Sequence, residues 1–108
     1  MTLQHGELSK NLFGSTHMLA VMAEVDRSVD GQFSAPQVSA STGLPASTVH
    51  SLFMRLRRAE LIRRTGEVTA ERIAIYERRP SPVWGAASAI ATEADAVQAG
   101  TVKDLWNQ

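Results

Sequence analysis

Residues 42–64 read TGLPASTVHSLFMRLRRAELIRR, and this stretch decides the fold. Thr42, Gly43 and Leu44 form a small turn. Pro45 and the small residues after it suit the start of a helix expected over residues 46–58. At about 100° per residue, Val49, Leu52, Phe53 and Leu56 fall within one narrow sector. Ser47, Ser51, Met54 and Arg58 fall opposite, with Thr48 and Arg55 on one flank and His50 and Arg57 on the other. One side of such a helix docks on a core. The other carries short hydroxyls, which allow close approach, and arginines, which neutralise phosphate or fork onto guanine. A helix laid against nucleic acid needs this layout.

The preceding residues supply a partner helix. In Phe33-Ser34-Ala35-Pro36-Gln37, Ser34 can cap, Pro36 is tolerated in the first turn, and Gln37 stands three residues on. That helix runs to about Thr42, because Gly43 can take the left-handed conformation that ends it. Leu44 anchors the turn and Pro45 bars continuation in the same direction. Two helices joined so briefly cross steeply, the helix-turn-helix arrangement. The first of them is polar, with Gln37, Ser39, Ser41 and Thr42 around a single strong apolar anchor, Val38.

Downstream, Leu61 to Thr65 reads as one short strand and Arg72 to Tyr76 as a second, with Gly66 to Glu71 as the hairpin loop. Ile73 and Ile75 share a face by the two-residue period. Leu61 is expected to face the core and to take Arg63 with it, leaving Arg64 to point at a duplex. Arg72, beside the loop, is the better candidate for a contact from the hairpin. A hairpin with basic arms directly after such a helix is a wing. The stretch from Thr42 to Arg64 is similar to the N-terminal domain of IclR-type regulators, in which a turn of the form TGLPxSTVH leads into the recognition helix. The resemblance covers about residues 18–76 and is most specific from Thr42 to His50. The wider winged-helix group that includes MarR-like and ArsR-like regulators shares the pattern more loosely. The resemblance implies a small winged helix-turn-helix fold, mainly α with a β-hairpin, acting as a sequence-specific DNA-binding transcription regulator. On that reading Ser47, Thr48, His50, Ser51 and Arg55 approach bases or groove edges. Arg58 meets phosphate, and Arg64 and Arg72 act from the wing. The pattern departs at Glu60, where these families usually carry glycine. A left-handed cap costs glutamate about 1 kcal/mol more. IclR-type regulators also continue into a large effector-binding domain with no counterpart in these residues, so no small-molecule ligand is inferred.

Charge is distributed to match. The chain is neutral overall, but residues 50–80 hold eight arginines against four glutamates, a balance of +4, and the remainder carries −4. Basic charge concentrated on one motif suits site-selective binding better than a diffuse polycation would. With 108 residues and 44% hydrophobic content, the chain can form one small folding unit with a modest core. It has no cysteine, which excludes disulfides and thiolate metal sites, and His5, His17 and His50 lack metal-ligand spacing. No metal or cofactor is therefore expected. No nucleophile–base pair, paired catalytic carboxylates or phosphate-binding glycine loop is present, so the chain is not read as an enzyme. No apolar run reaches the length of a membrane span and no signal-peptide pattern appears; a cytoplasmic location is expected.

Two more helices flank the motif. Ser15 can cap one that runs through Val25 and ends near Ser28, and Leu8, Leu12 and Phe13 suggest an earlier helix or an extension broken at Gly14. Val29 to Gly31 then turns into Gln32-Phe33, a short strand able to pair with the wing. Ser81-Pro82 begins the last helix. Val83, Ala87, Ile90, Ala94 and Val97 form a heptad seam in it, Gly100 ends it, and the tail carries Leu105 and Trp106. Residues 1–80 are accordingly read as the DNA-binding unit and 81–108 as a helix and tail that join a homodimer. The same seam could instead cover the chain's own core. The competing function is a winged-helix module for protein contacts, whose mark would be an acidic or apolar helix back; only Met54 leans that way.

Overall fold

A computed structural model describes residues 5–98, with side chains through Asp95. The expected Gly100 helix end, the Val97 side chain and the tail with Leu105 and Trp106 lie outside the described residues. The elements are α1 (His5–Phe13), α2 (Met18–Asp26), a 3-10 turn (Val29–Gly31), β1 (Gln32–Phe33), α3 (Ala35–Thr42), α4 (Ala46–Arg58), β2 (Ile62–Val68), β3 (Ala74–Arg78) and α5 (Pro82–Gln98). The three strands form one antiparallel sheet in the order β1-β3-β2. This is a winged helix: mainly α, with a small β wing.

The first described residues form two helices, broken at Gly14, whose φ is +76°. The Gly14 N–H donates to the Lys10 carbonyl at 2.9 Å and closes α1. Ser15 does not cap α2, which begins at Met18; its hydroxyl accepts from the His17 N–H at 3.2 Å instead. The cap comes from α1. Ser9, fully buried, accepts from the Leu19 N–H at 2.8 Å and donates to the Ser15 carbonyl at 2.5 Å. One of the open N–H groups at the helix start is thus satisfied by a residue ten positions back, which local sequence does not reveal.

Around α3 the expectations hold. Ser34 accepts from the Gln37 N–H at 3.3 Å and Gly43 ends the helix at φ +74°. The polar residues of α3 close the turn themselves. Ser39 donates to the Leu44 carbonyl at 2.6 Å, Thr42 donates to the Val38 carbonyl at 2.7 Å, and Thr42 also accepts from the Leu44 N–H at 3.3 Å. Buried Val38 fixes the helix on the core.

The core joins Leu19, Met22 and Val25 of α2 to the α4 stripe of Val49, Leu52, Phe53 and Leu56. Phe33, Phe53 and Tyr76 form an aromatic cluster with centroids 5.4, 5.1 and 6.1 Å apart, tying β1, α4 and β3 together. Arg78 holds the sheet to the end of α2, donating to the Val25 carbonyl at 3.0 Å and the Asp26 carbonyl at 2.7 Å. On α5, Trp84, Ala87, Ala91 and Ala94 are buried, with Val83 and Ile90 packed half-buried beside them. The Trp84 indole N–H donates to the Arg79 carbonyl at 2.8 Å. The heptad seam of α5, as far as its side chains are described, therefore faces the chain's own core.

The wing differs in register from the expectation. The loop is not Gly66 to Glu71: β2 continues to Val68 and β3 begins at Ala74. Gly66 takes φ +88° within the strand, where the pairing register shifts between Arg64 and Val68, so it bends β2 and does not end it. The reversal is Ala70-Glu71-Arg72, closed by Thr69 N–H to Ile73 carbonyl at 2.9 Å and Arg72 N–H to Thr69 carbonyl at 2.9 Å. Arg72 completes it with φ +64°, the left-handed position that glycine usually fills in a three-residue hairpin. Alternation is also shifted by one. Ile62 is buried and Leu61 only partly so.

Candidate nucleic-acid interface

The end of α4 is set by the residue that departs from the family pattern. Glu60 stands at φ +60°, its N–H donating to the Arg57 carbonyl at 2.9 Å, while the Leu61 N–H reaches back to the Leu56 carbonyl at 3.0 Å. These two bonds make a complete left-handed helix cap, with half-buried Leu61 over buried Leu56. Glutamate accepts the conformation despite its cost, and α4 stops at Arg58 as expected.

On α4 the candidate side chains divide into an open back and a walled flank. Ser47, His50, Ser51 and Arg58 are exposed on a helix that carries no carboxylate. Met54 is half-buried, its sulfur accepting from the Arg57 guanidinium at 3.9 Å. Thr48, Ser47, Ser51 and Arg55 border an open cleft of about 490 Å3 whose far wall is Lys10, Gly14, Ser15 and Thr16. Arg55 is not loose: its Nη2 donates to the Phe13 carbonyl at 2.8 Å. Lys10 and Thr16 carry no local sequence signal, because only the α1–α2 packing brings them to α4. No motif marks them.

The wing arginines have separate fates. Arg63 forms an ion pair with its cross-strand neighbour Glu77. Arg64 lies opposite Tyr76, and directly paired residues project from the same face, so it emerges on the α4 side of the sheet beyond the core. This reverses the expected facing: Arg64 shares the face of buried Ile62 and Tyr76, Arg63 takes the opposite one, and Arg64 is left without an ion pair because Arg63 holds Glu77. Arg72 is exposed at the hairpin tip. Among the described residues Arg58, Arg64 and Arg72 have no hydrogen-bonded or ion-pair partner for their side chains. Arg78 and Arg79 instead hold backbone carbonyls of Val25, Asp26 and Glu60. Part of the basic excess is therefore structural.

Among the described residues there is no cluster of three or more His, Cys, Asp or Glu side chains able to hold a metal ion. No described helix is long and apolar enough to cross a membrane.

No family model and no curated protein matches the sequence. Solved structures do match the fold. MepR of Staphylococcus aureus in a complex with DNA aligns with TM-score 0.70 at 13% identity over 95% of this chain and 76% of that one. The transcriptional regulator BldR from Sulfolobus solfataricus aligns with TM-score 0.66 at 14% identity, over 95% and 74%. A MarR family regulator from Neisseria meningitidis aligns with TM-score 0.55 at 17% identity, over 81% of this chain and 58% of that one. The fold likeness is thus to winged-helix transcription regulators, one of them of the MarR family, and a specific likeness to IclR-type regulators is not shown. At such identities the comparison establishes architecture: this chain has the winged-helix fold of these transcription regulators.

Proposed function

We propose that this protein is a sequence-specific double-stranded DNA-binding transcription regulator, with α4 entering the major groove and the wing lying along the adjacent backbone or minor groove. The observation that carries this reading is the back of α4. It presents exposed Ser47, His50, Ser51 and Arg58 with no carboxylate on the helix, and the wing adds exposed Arg64 and Arg72, neither with a side-chain partner among the described residues. Hydroxyls permit close approach, arginine supplies both phosphate neutralisation and bidentate base contact, and a narrow minor groove attracts arginine. The regulators that share the fold, one of them solved with DNA, support the same assignment.

The working unit in this reading is a homodimer, because one winged module reads only a half-site. Two-fold pairing sets recognition helices about 34–36 Å apart or at a multiple of that. Since the α5 seam is spent on the chain's own core, pairing uses what α5 and α1 leave outside, such as exposed Leu12 and the Gly85, Ala86 and Ala89 face. Cutting the chain at Pro80 would uncover the core, so the dimer is tested on the full chain by light scattering, with Leu12→Glu and Ala89→Glu as disrupting variants. A monomeric full-length protein contradicts it.

Selection from a random duplex pool tests the function itself. The expected outcome is one enriched motif with two-fold symmetry. A pool that stays random after repeated rounds contradicts the reading.

A further inference from the structure

The cleft on the α4 flank has a one-sided chemistry. Lys10 and Arg55 bring two cations to it, Thr16, Ser47, Thr48 and Ser51 bring hydroxyls, and among the described residues no carboxylate lines it. The cleft at the base of the wing is different, since Glu67 and Glu77 accompany Arg63 and Arg64 there. Two cations uncompensated by acid, set among short hydroxyls, form a donor set suited to phosphate oxygens.

Arg55 is already oriented for such a ligand. Its bond to the Phe13 carbonyl uses one of the five N–H donors of a guanidinium and fixes the plane, leaving the other donors for an anion. Gly14 leaves the room: a Cβ there would stand 3.3 Å from Arg55 Nη2. The residue that breaks the first two helices apart thus also admits the guanidinium between α1 and α4.

We propose that this cleft holds one phosphate group of the DNA backbone at the edge of the groove that α4 enters, gripped by Lys10 from α1 and Arg55 from α4. The inference deepens the DNA-binding reading and rests on it. Arg55 becomes a backbone clamp in place of a base reader, and α1, which precedes the helix-turn-helix, becomes part of the interface. Because Arg55 is tied to the end of α1, the two walls of the cleft close on the strand as one unit.

The test uses the full chain and the duplex it selects, with a salt series and a scan of neutral methylphosphonate linkages. Lys10 is exposed, so Lys10→Gln is expected to keep the wild-type melting temperature. It should also lower the salt slope by about one, the share of a single phosphate. One linkage whose neutralisation weakens wild-type binding should have no effect on Lys10→Gln. Arg55→Gln should lose sensitivity at that same linkage, and the double variant should lose no more slope than one phosphate explains. A Lys10→Gln protein with the wild-type slope and linkage map, on a duplex that the wild type binds tightly, overturns the inference and leaves the DNA reading standing. A wild-type chain that binds no duplex overturns both. Inorganic phosphate added to the DNA-free protein separates a free anion from a phosphodiester. The expected result is no saturable shift of the Thr16 and Ser51 amide resonances beyond that of chloride at matched ionic strength. A saturable shift together with a wild-type salt slope in Lys10→Gln assigns the cleft to a free anion and overturns the proposal.

Discussion

Replacing Arg72 by glycine should move stability and DNA affinity in opposite directions. Arg72 closes the hairpin at φ +64°, a conformation that costs an L-residue about 1–2 kcal/mol. Glycine removes that cost but gives up about 0.5–1 kcal/mol through the greater freedom of its unfolded chain. The net expected gain is about 0.7 kcal/mol, or roughly 3–6 °C in melting temperature for a domain of this size. The same substitution removes an unpartnered guanidinium from the wing tip. Losing a charge-assisted contact to DNA costs about 1.5–3 kcal/mol, roughly tenfold to a hundredfold in Kd. Glu60→Gly is the matched control, since Glu60 occupies the same backbone region at φ +60° but supplies no cation. It should be stabilised similarly and lose no affinity. Melts followed by circular dichroism and fluorescence anisotropy with the selected duplex read the two effects. If Arg72→Gly binds as tightly as the wild type, the wing tip is not a contact. If neither variant is stabilised, the strain argument is wrong.

Other substitutions probe the frame that presents α4. Trp84→Ala should cost about 3–5 kcal/mol, measured by urea unfolding, because this α5 indole is buried in the core and holds the Arg79 carbonyl; a loss below about 1 kcal/mol would mean that α5 is not part of the core. Ser9→Ala should cost about 1–3 kcal/mol, since it leaves the buried Leu19 N–H without its acceptor. Hydrogen exchange should locate the loss at the start of α2, and unchanged protection there would contradict the cap assignment.

Much of this arrangement was legible in the sequence because its signals are local. Ser34, Gly43 and Pro45 act within a few residues of themselves, and the apolar stripe of α4 is a matter of spacing alone. The wing was less legible. Gly66 signals a break, but only the pairing of β2 with β3 shows it absorbed as a bend, with the reversal displaced to Ala70–Arg72. The pair Leu61-Ile62 offers two equally apolar choices for the core, and a shift by one reverses every face of the strand. Register settles it, since Ile62 pairs with Arg78 and Arg64 with Tyr76. The candidate site was legible as far as one helix reaches: the spacing on α4 separates its apolar stripe from its polar back. Lys10 and the Arg55–Phe13 bond depend on a separation of more than forty residues, which neither period nor motif encodes.

The claim that the back of α4 faces DNA is tested most directly by placing a carboxylate at its centre. Ser51 is exposed there, and Ser51→Glu should leave the melting temperature within a few degrees of the wild type. Like charges forced together at an interface cost several kcal/mol, so affinity for the selected duplex should fall by roughly a hundredfold or more. A correctly folded Ser51→Glu protein that binds that duplex as tightly as the wild type would contradict the account.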